Sequence, residues 1–136
     1  MDLLKTMQIS ASGLDAQGQR MRVISENLAN KDSMGKAPDE DPYRRKVISF
    51  RNILDREAGI TKVQVANIGV DRSEFDLKFN PSHPAANADG YVKMPNVNAL
   101  IEVMDMKETQ RSYQANLGAI EAAKKMVMRT LDILRQ

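Results

Sequence analysis

The side chains that could do chemistry are few, and they form no recognisable catalytic or metal-binding pattern. His83 is the single histidine, and no Ser, Cys or carboxylate stands at a motif spacing from it. Segment 87–90 (NADG) resembles the start of a calcium loop, but the alternating acidic ligands and closing Glu of that motif are missing, so a turn is predicted. The chain has no cysteine, which excludes disulfides and thiolate metal sites. We therefore predict no catalytic residue, cofactor or metal, and a protein that is not an enzyme. A small hydrolase centred on His83 is the enzymatic alternative, and His83→Ala would test it.

A basic cluster at Arg44-Arg45-Lys46 could contact phosphates. However, the whole chain has 20 Lys and Arg against 18 Asp and Glu, a net charge of only +2. The cluster is therefore interpreted as a solvated strand end or an intersubunit salt-bridge surface. Aromatic residues make up 4% of the chain and Trp is absent, which leaves too few rings for base stacking. No nucleic-acid partner is predicted.

The length of 136 residues is that of one domain, and nine Met suit adaptable packing surfaces. The N-terminal residues MDLLKTMQ lack the basic start and apolar run of a secretion signal. No stretch approaches the roughly 18 apolar residues that a membrane helix requires. We expect a soluble protein that is not an integral membrane protein and does not use a cleaved signal.

A long C-terminal helix, predicted over 97–134, is the element that organises the rest. Apolar residues return there at alternating steps of three and four, interrupted by Gln110 and Lys124, and Gly118 is the one helix-weakening residue. A mean step of about 3.5 residues keeps one stripe facing a partner helix, as in a coiled coil. The helix would be about 55 Å long and would need partners along its whole length. We name this stripe the C-terminal seam: Val103, Met106, Tyr113, Leu117, Ile120, Val127, Leu131 and Leu134.

A second, weakly apolar stripe follows the same helix and allows two interpretations. It is either a wide core face in an ordinary helical bundle or a surface that a subunit keeps for other copies. Gln110 and Lys124 also allow two interpretations. They either fix the register and the number of partner helices, or they rotate toward solvent as the helix drifts from the repeat. The second stripe comprises Ala115, Ala119, Ala122, Ala123, Met126, Thr130 and Ile133.

Segment 3–29 is also predicted to be helical, because apolar residues recur there with the same alternation. One edge of its stripe is large and the other mostly small, so a bulkier helix face could pack closely against it. Gly13 and Gly18 lower helicity by about 1 kcal/mol each relative to Ala, and we expect this helix to become ordered only on docking. We name its stripe the N-terminal seam: Leu4, Met7, Ala11, Leu14, Met21 and Leu28.

The middle of the chain is predicted to hold short strands between irregular segments. Segment 30–41 is a polar connector, segment 69–72 could turn a hairpin between the last two strands, and 80–98 is turn chemistry almost throughout. Asn96 or Asn98 is the predicted N-cap of the C-terminal helix. The strand candidates alternate apolar and polar residues: 43–50, 60–68 and 75–79.

The predicted fold is mainly α, with N- and C-terminal helices paired as an antiparallel-type coiled coil and a small β-containing middle segment. Two or three short strands would need support from the helices or from a neighbouring subunit. The predicted parts are the N-terminal helix of an inner coiled-coil domain at 1–30, a connector with the β-rich middle segment at 31–96, and the long C-terminal helix at 97–136.

Several motifs stand in the chain in a fixed order. They are 10–17 (SASGLDAQ), 20–30 (RMRVISENLAN), 41–46 (DPYRRK), 81–84 (PSHP), 87–92 (NADGYV), 95–98 (PNVN) and 111–116 (RSYQAN). Together they closely resemble the flagellar rod and hook axial protein family, and within it the proximal rod proteins, from near residue 3 to near residue 134. Lys31-Asp32-Ser33 departs from the short polar stretch that relatives often carry there.

This resemblance implies a structural subunit of the axial drive shaft in the bacterial flagellar basal body. It implies that the terminal helices pair, assemble helically with other rod proteins to transmit torque, and line an export channel, with both seams as the assembly interface. It further implies export by the flagellar type III apparatus, a periplasmic rod location, and contact with the MS-ring/rod adaptor. The alternative from another class is a coiled-coil adaptor or chaperone that binds partner helices reversibly.

Overall fold

The computed structural model describes residues 2–136, which form two long helices and four strands. The elements are α1 (Leu3–Ala29), β1 (Lys46–Asp55), β2 (Ile60–Val70), β3 (Asp76–Phe79), β4 (Tyr91–Met94) and α2 (Ala99–Leu134). The chain divides into two compact units. The junction unit holds residues 22–48 and 68–106. The hairpin unit holds α1 as far as residue 21, residues 49–67, and residues 107–136.

Local sequence accounts for the start of each helix. The Asp2 carboxylate accepts a hydrogen bond from the Leu4 amide at 2.9 Å. The Asn98 side chain accepts from the Leu100 amide at 3.0 Å, so Asn98, not Asn96, is the N-cap. The prediction of a helix over 3–29 is confirmed, and the C-terminal helix begins two residues later than predicted and ends at Leu134 as predicted.

The predicted fold class is wrong. The chain folds into two helices plus two small antiparallel sheets, and the helices pair without a coiled coil being shown. The α2 residues that are buried are Glu102, Thr109 and Ala123, whereas Val103 and Leu117 of the C-terminal seam are each 41% exposed. The physical reason is that the buried positions of α2 carry polar or small side chains instead of large apolar ones. The regular apolar spacing therefore does not mark the buried face.

The hairpin unit contains most of a two-stranded sheet made by β1 and β2. Four residues join the strands, and Gly59 adopts φ 65°, a conformation that favours glycine. Asp55 accepts from the Ala58 amide at 3.1 Å and from the Lys62 ammonium at 2.6 Å, which closes the turn. The predicted hairpin at 69–72 is wrong, because β2 pairs with β1 and not with β3.

The junction unit contains the second sheet, in which β3 pairs with β4. Phe79 lies opposite Tyr91, and the two rings meet edge to face with centroids 5.3 Å apart. Gly90 precedes the strand at φ 84°, where a Cβ would lie 2.9 Å from the Phe79 ring. Val92 is fully buried. The prediction of turn chemistry over 80–98 missed β4, because a four-residue strand is too short for a clear alternating pattern.

Candidate assembly interface

A buried polar network in the junction unit brings together residues from separate motifs. Asn27 of α1 is 1% exposed. Its amide nitrogen donates to the Lys46 carbonyl at 2.9 Å and to the Glu102 carboxylate at 3.4 Å. Its amide oxygen accepts from the Tyr43 hydroxyl at 2.8 Å and from the Lys46 amide at 2.9 Å. The Asn27 side chain therefore satisfies both its donors and its acceptor, and it fixes the end of α1 to the start of β1.

Arg45 supplies the cation of this network. Its guanidinium donates to Glu102, which is 1% exposed, and lies 3.6 Å from Asp71 and 3.7 Å from Asp105. Burial works to lower the pKa of Arg45, but the hydrogen bond and the negative charge of Glu102, with the two aspartates, outweigh it and raise the pKa. Because an isolated buried carboxylate is very unfavourable, Glu102 can be buried here only beside Arg45.

Two further pKa shifts belong to the same network. Burial raises the pKa of the Tyr43 hydroxyl, and the charges of Glu26 and Glu102 add to that effect against Lys46. The hydrogen bond to Glu26, at 2.8 Å, raises the pKa of Lys46. The hydroxyl and the ammonium, whose ordinary pKa values are 10.0 and 10.5, are protonated at neutral pH and act as hydrogen-bond donors, and the shifts extend that range upward.

Side-chain hydrogen bonds from Arg44 and Asn96 hold the segment after β2 within the junction unit. The Asn96 amide donates to the Asp71 carbonyl at 2.9 Å, and the Arg44 guanidinium donates to the same carbonyl at 3.1 Å. The Asn96 oxygen accepts from the Arg45 amide at 2.7 Å. Arg44 also lies over the Phe75 ring, 4.2 Å from its centroid. Instead of a solvated strand end, the predicted basic cluster is thus part of a folded junction.

The two predicted seams lie at the surface or are half-buried. In the N-terminal seam, Leu4 is 64% exposed and Ala11 is exposed, and the other four residues are half-buried. In the C-terminal seam, four residues are half-buried and four are exposed, with Leu134 exposed by 77%. Gln110 and Lys124 face solvent. The half-buried members of the C-terminal seam are Met106, Tyr113, Ile120 and Val127; the exposed ones are Val103, Leu117, Leu131 and Leu134.

Helix α2 carries more exposed apolar surface than the seams predicted. Every residue from 128 to 136 is exposed, and the last half-buried residue before that segment is Val127. Near the other end of α2, Leu100 is 69% exposed and Met104 is 61% exposed. In the sequence, the exposed apolar residues of α2 outside the C-terminal seam are recognisable only as apolar positions that do not follow the 3.5-residue repeat. Those outside the seam are Leu100, Ile101, Met104, Met126, Met128 and Ile133.

The residues considered above as catalytic or calcium-binding groups form hydrogen bonds within turns. The His83 Nδ1 accepts from the Ala85 amide at 3.0 Å. The Asn87 side chain accepts from the amides of Asp89 and Tyr91, at 3.0 and 2.9 Å. Among residues 2–136, no group of His, Asp or Glu side chains could hold a metal ion. Over the same residues, neither helix combines the length and apolar character needed to cross a membrane.

Comparison with known proteins identifies the class of protein to which this chain belongs. Residues 88–133 match the family described as flagellar basal body rod FlgEFG protein C-terminal. The chain is 48% identical over 128 residues to the flagellar basal-body rod protein FlgC of Agrobacterium fabrum, covering 94% of this chain and 92% of that protein. It is 41% identical to FlgC of Bacillus subtilis, covering 98% and 99%, and 38% identical to FlgC of Salmonella typhimurium, covering 98% of each. The chain therefore belongs to the FlgC family of flagellar basal-body rod proteins.

Proposed function

We propose that this chain is a non-catalytic structural subunit of the proximal rod, joined to its neighbours by the uncovered apolar surface of its two helices. The end of α2 carries the proposal. Leu131 is 50% exposed, Ile133 74% and Leu134 77%. Burying one such side chain contributes about 1.5–3 kcal/mol, so the uncovered end of α2 favours association. The family membership supports the rod as the place where that association happens.

The shape of the helices suits a helical lattice. A heterologous contact, in which different surfaces of two similar subunits meet, builds an open filament when its rotation does not close. Helices of 27 and 36 residues provide long surfaces for such contacts. In this proposal the segments 1–30 and 97–136 form the inner part that lines the export channel and transmits torque, and the segment 31–96 forms the outer part.

The proposed partners are other rod proteins and the MS-ring/rod adaptor, in a homo- and hetero-oligomeric assembly. The proposed route to the periplasmic rod is export as an unfolded chain by the flagellar type III apparatus. A chain without cysteine suits that route, because no disulfide can lock it before transit.

The double variant Leu131→Asp/Leu134→Asp tests the proposal. Each aspartate would be buried without a partner in the assembled rod, so we expect incorporation into purified basal bodies and swimming to be abolished. Leu117→Asp, in the exposed part of the C-terminal seam, should act in the same way. The assay is complementation of a strain lacking its FlgC protein, with circular dichroism of the isolated chain to show that its helices remain.

Lys125→Gln/Arg129→Gln is the matched control, because it makes the net charge more negative by the same amount at two exposed positions of α2 that lie outside both stripes. It should assemble normally. If the Leu131→Asp/Leu134→Asp chain enters basal bodies as well as this control, the end of α2 is not an assembly surface. A reversible adaptor or chaperone would instead bind rod proteins in solution without being retained in the basal body.

A further inference from the structure

We infer that the outer edge of β3 is an interaction surface that pairs, antiparallel and about a two-fold axis, with the same edge of a second copy of this chain. All of the residues that carry the inference lie in the junction unit. The pairing belongs to the free chain and goes beyond the proposed function, because a two-fold contact differs from the heterologous contacts that build a filament.

The backbone of β3 has an unpaired edge. Over residues 2–136, β4 is the only strand that pairs with β3. The Asn80 amide donates to the Gly90 carbonyl at 2.9 Å, and hydrogen-bonded pairs alternate along an antiparallel ladder. Every second residue counted back from Asn80 therefore bonds to β4, whereas Leu77 and Phe79 turn their amides and carbonyls to the other side. Within the described part of the chain, these outward groups have no hydrogen-bond partner.

The side chains on this edge are also open to a partner. All four residues of β3 are exposed, and two of them, Leu77 and Phe79, place apolar side chains on one face of the sheet with exposures of 60% and 62%. Tyr91 lies opposite Phe79 on the same face and is 42% exposed. A strand edge with free amides, free carbonyls and apolar side chains is a surface on which another strand can pair.

The charges of β3 identify the partner and the register. A lysine on an edge strand, here Lys78, disfavours pairing with most other strands. When two copies of β3 meet antiparallel with Leu77 opposite Leu77, Asp76 of each copy lies opposite Lys78 of the other. Opposite charges directly across two strands stabilise the pair, and like charges destabilise it. The neighbouring registers that keep the hydrogen bonds place Lys78 opposite Lys78 or Asp76 opposite Asp76.

The same register matches apolar side chains. Leu77 of one copy meets Leu77 of the other, and Phe79 lies opposite Phe75, which is half-buried. The two copies of β3 join both sheets into one sheet of four strands, in the order β4–β3–β3–β4. Two strands alone are marginally stable, whereas three or more strands with an apolar face form a stable sheet. Pairing therefore supports a short sheet that each chain forms incompletely.

Disulfide trapping in the isolated full chain tests the pairing, since the chain has no cysteine of its own. In Leu77→Cys the two thiols lie opposite each other, with Cα atoms about 5.5 Å apart, which is within reach of a disulfide. Phe79→Cys is the matched control, because it is equally exposed but its two copies lie about 14 Å apart. Under mild oxidation Leu77→Cys should crosslink at least about tenfold faster than the control. Sedimentation of the parent should show a species of twice 15.2 kDa as its concentration rises.

Charge reversal in the Leu77→Cys chain tests the register. Lys78→Asp places a carboxylate opposite Asp76 at both ends of the pair and should slow crosslinking about tenfold. Asp76→Lys/Lys78→Asp restores opposite charges in the reversed order and should restore the rate.

Three results would overturn the inference: equal crosslinking at the two cysteine positions, a Lys78→Asp chain that crosslinks at the unaltered rate, or a parent chain that stays monomeric. The last result is also the one expected if the edge of β3 serves a strand of another protein. None of these measurements involves rod assembly, so they are distinguishable from a failure of the proposed function.

Discussion

Asn27→Leu tests the central role of the polar network in stability. The substitution keeps a similar volume at a position that is 1% exposed and removes all four hydrogen bonds of the amide. Glu102 keeps Arg45 as a partner. The groups left without a partner are the Lys46 amide, the Lys46 carbonyl and the Tyr43 hydroxyl.

The expected loss follows from those three groups. A buried polar group left unsatisfied costs about 1–3 kcal/mol, and Lys46 and Tyr43 are half-buried, so the lower end applies to each. We expect the free energy of unfolding to fall by about 3 kcal/mol, a large part of the stability of a small protein. Tyr43→Phe removes one of the bonds and should cost about 1 kcal/mol.

Urea denaturation followed by circular dichroism measures both values. Asn30→Leu is the matched control, because Asn30 lies one turn beyond and is half-buried; its amide donates to the Glu26 carbonyl at 2.8 Å and its oxygen accepts from the exposed Ser33 hydroxyl at 3.1 Å. It should cost less than about 1 kcal/mol. An Asn27→Leu chain that unfolds within about 1 kcal/mol of the parent would refute the account of the network as a set of obligatory partners.

Three further substitutions probe the two units separately, two of them in the hairpin unit and one in the junction unit. Gly18 has open space around its Cα, so Gly18→Ala should raise the free energy of unfolding by about 1 kcal/mol in urea titrations. Gly13→Ala should give less, because its Cβ would lie 2.8 Å from the Asn116 amide, and an equal gain would contradict this close contact. In the junction unit, hydrogen bonds from the amide and hydroxyl of Ser73 lower the pKa of Asp71 below its usual 3.8. The folded pKa lies below the unfolded one, so the stabilisation is present above about pH 4 and is lost as pH falls further. Urea midpoints measured from about pH 5 to pH 2 should therefore fall less steeply for Asp71→Asn than for the parent, and parallel curves would contradict this.

The candidate interface was only partly predictable from the sequence. The seams identified apolar positions on both helices, and their role in assembly stays a prediction. The spacing alone gave no way to decide which residues of α2 would be buried, since Glu102 and Thr109 are buried where an apolar seam was expected. Glu102 is buried because of Arg45, which lies 57 residues earlier in the chain.

The sequence by itself determined the features that depend on near neighbours. The extent of α1, the Asn98 cap and the end of α2 follow from helix periodicity and from side chains that bond to amides two or three residues away. The short sequence motifs were sufficient to indicate the family. Only the tertiary structure decided the partners of the strands, the buried faces of the helices and the polar network around Glu102. Each of these depends on groups distant in sequence, whose burial is favourable only when all of them meet.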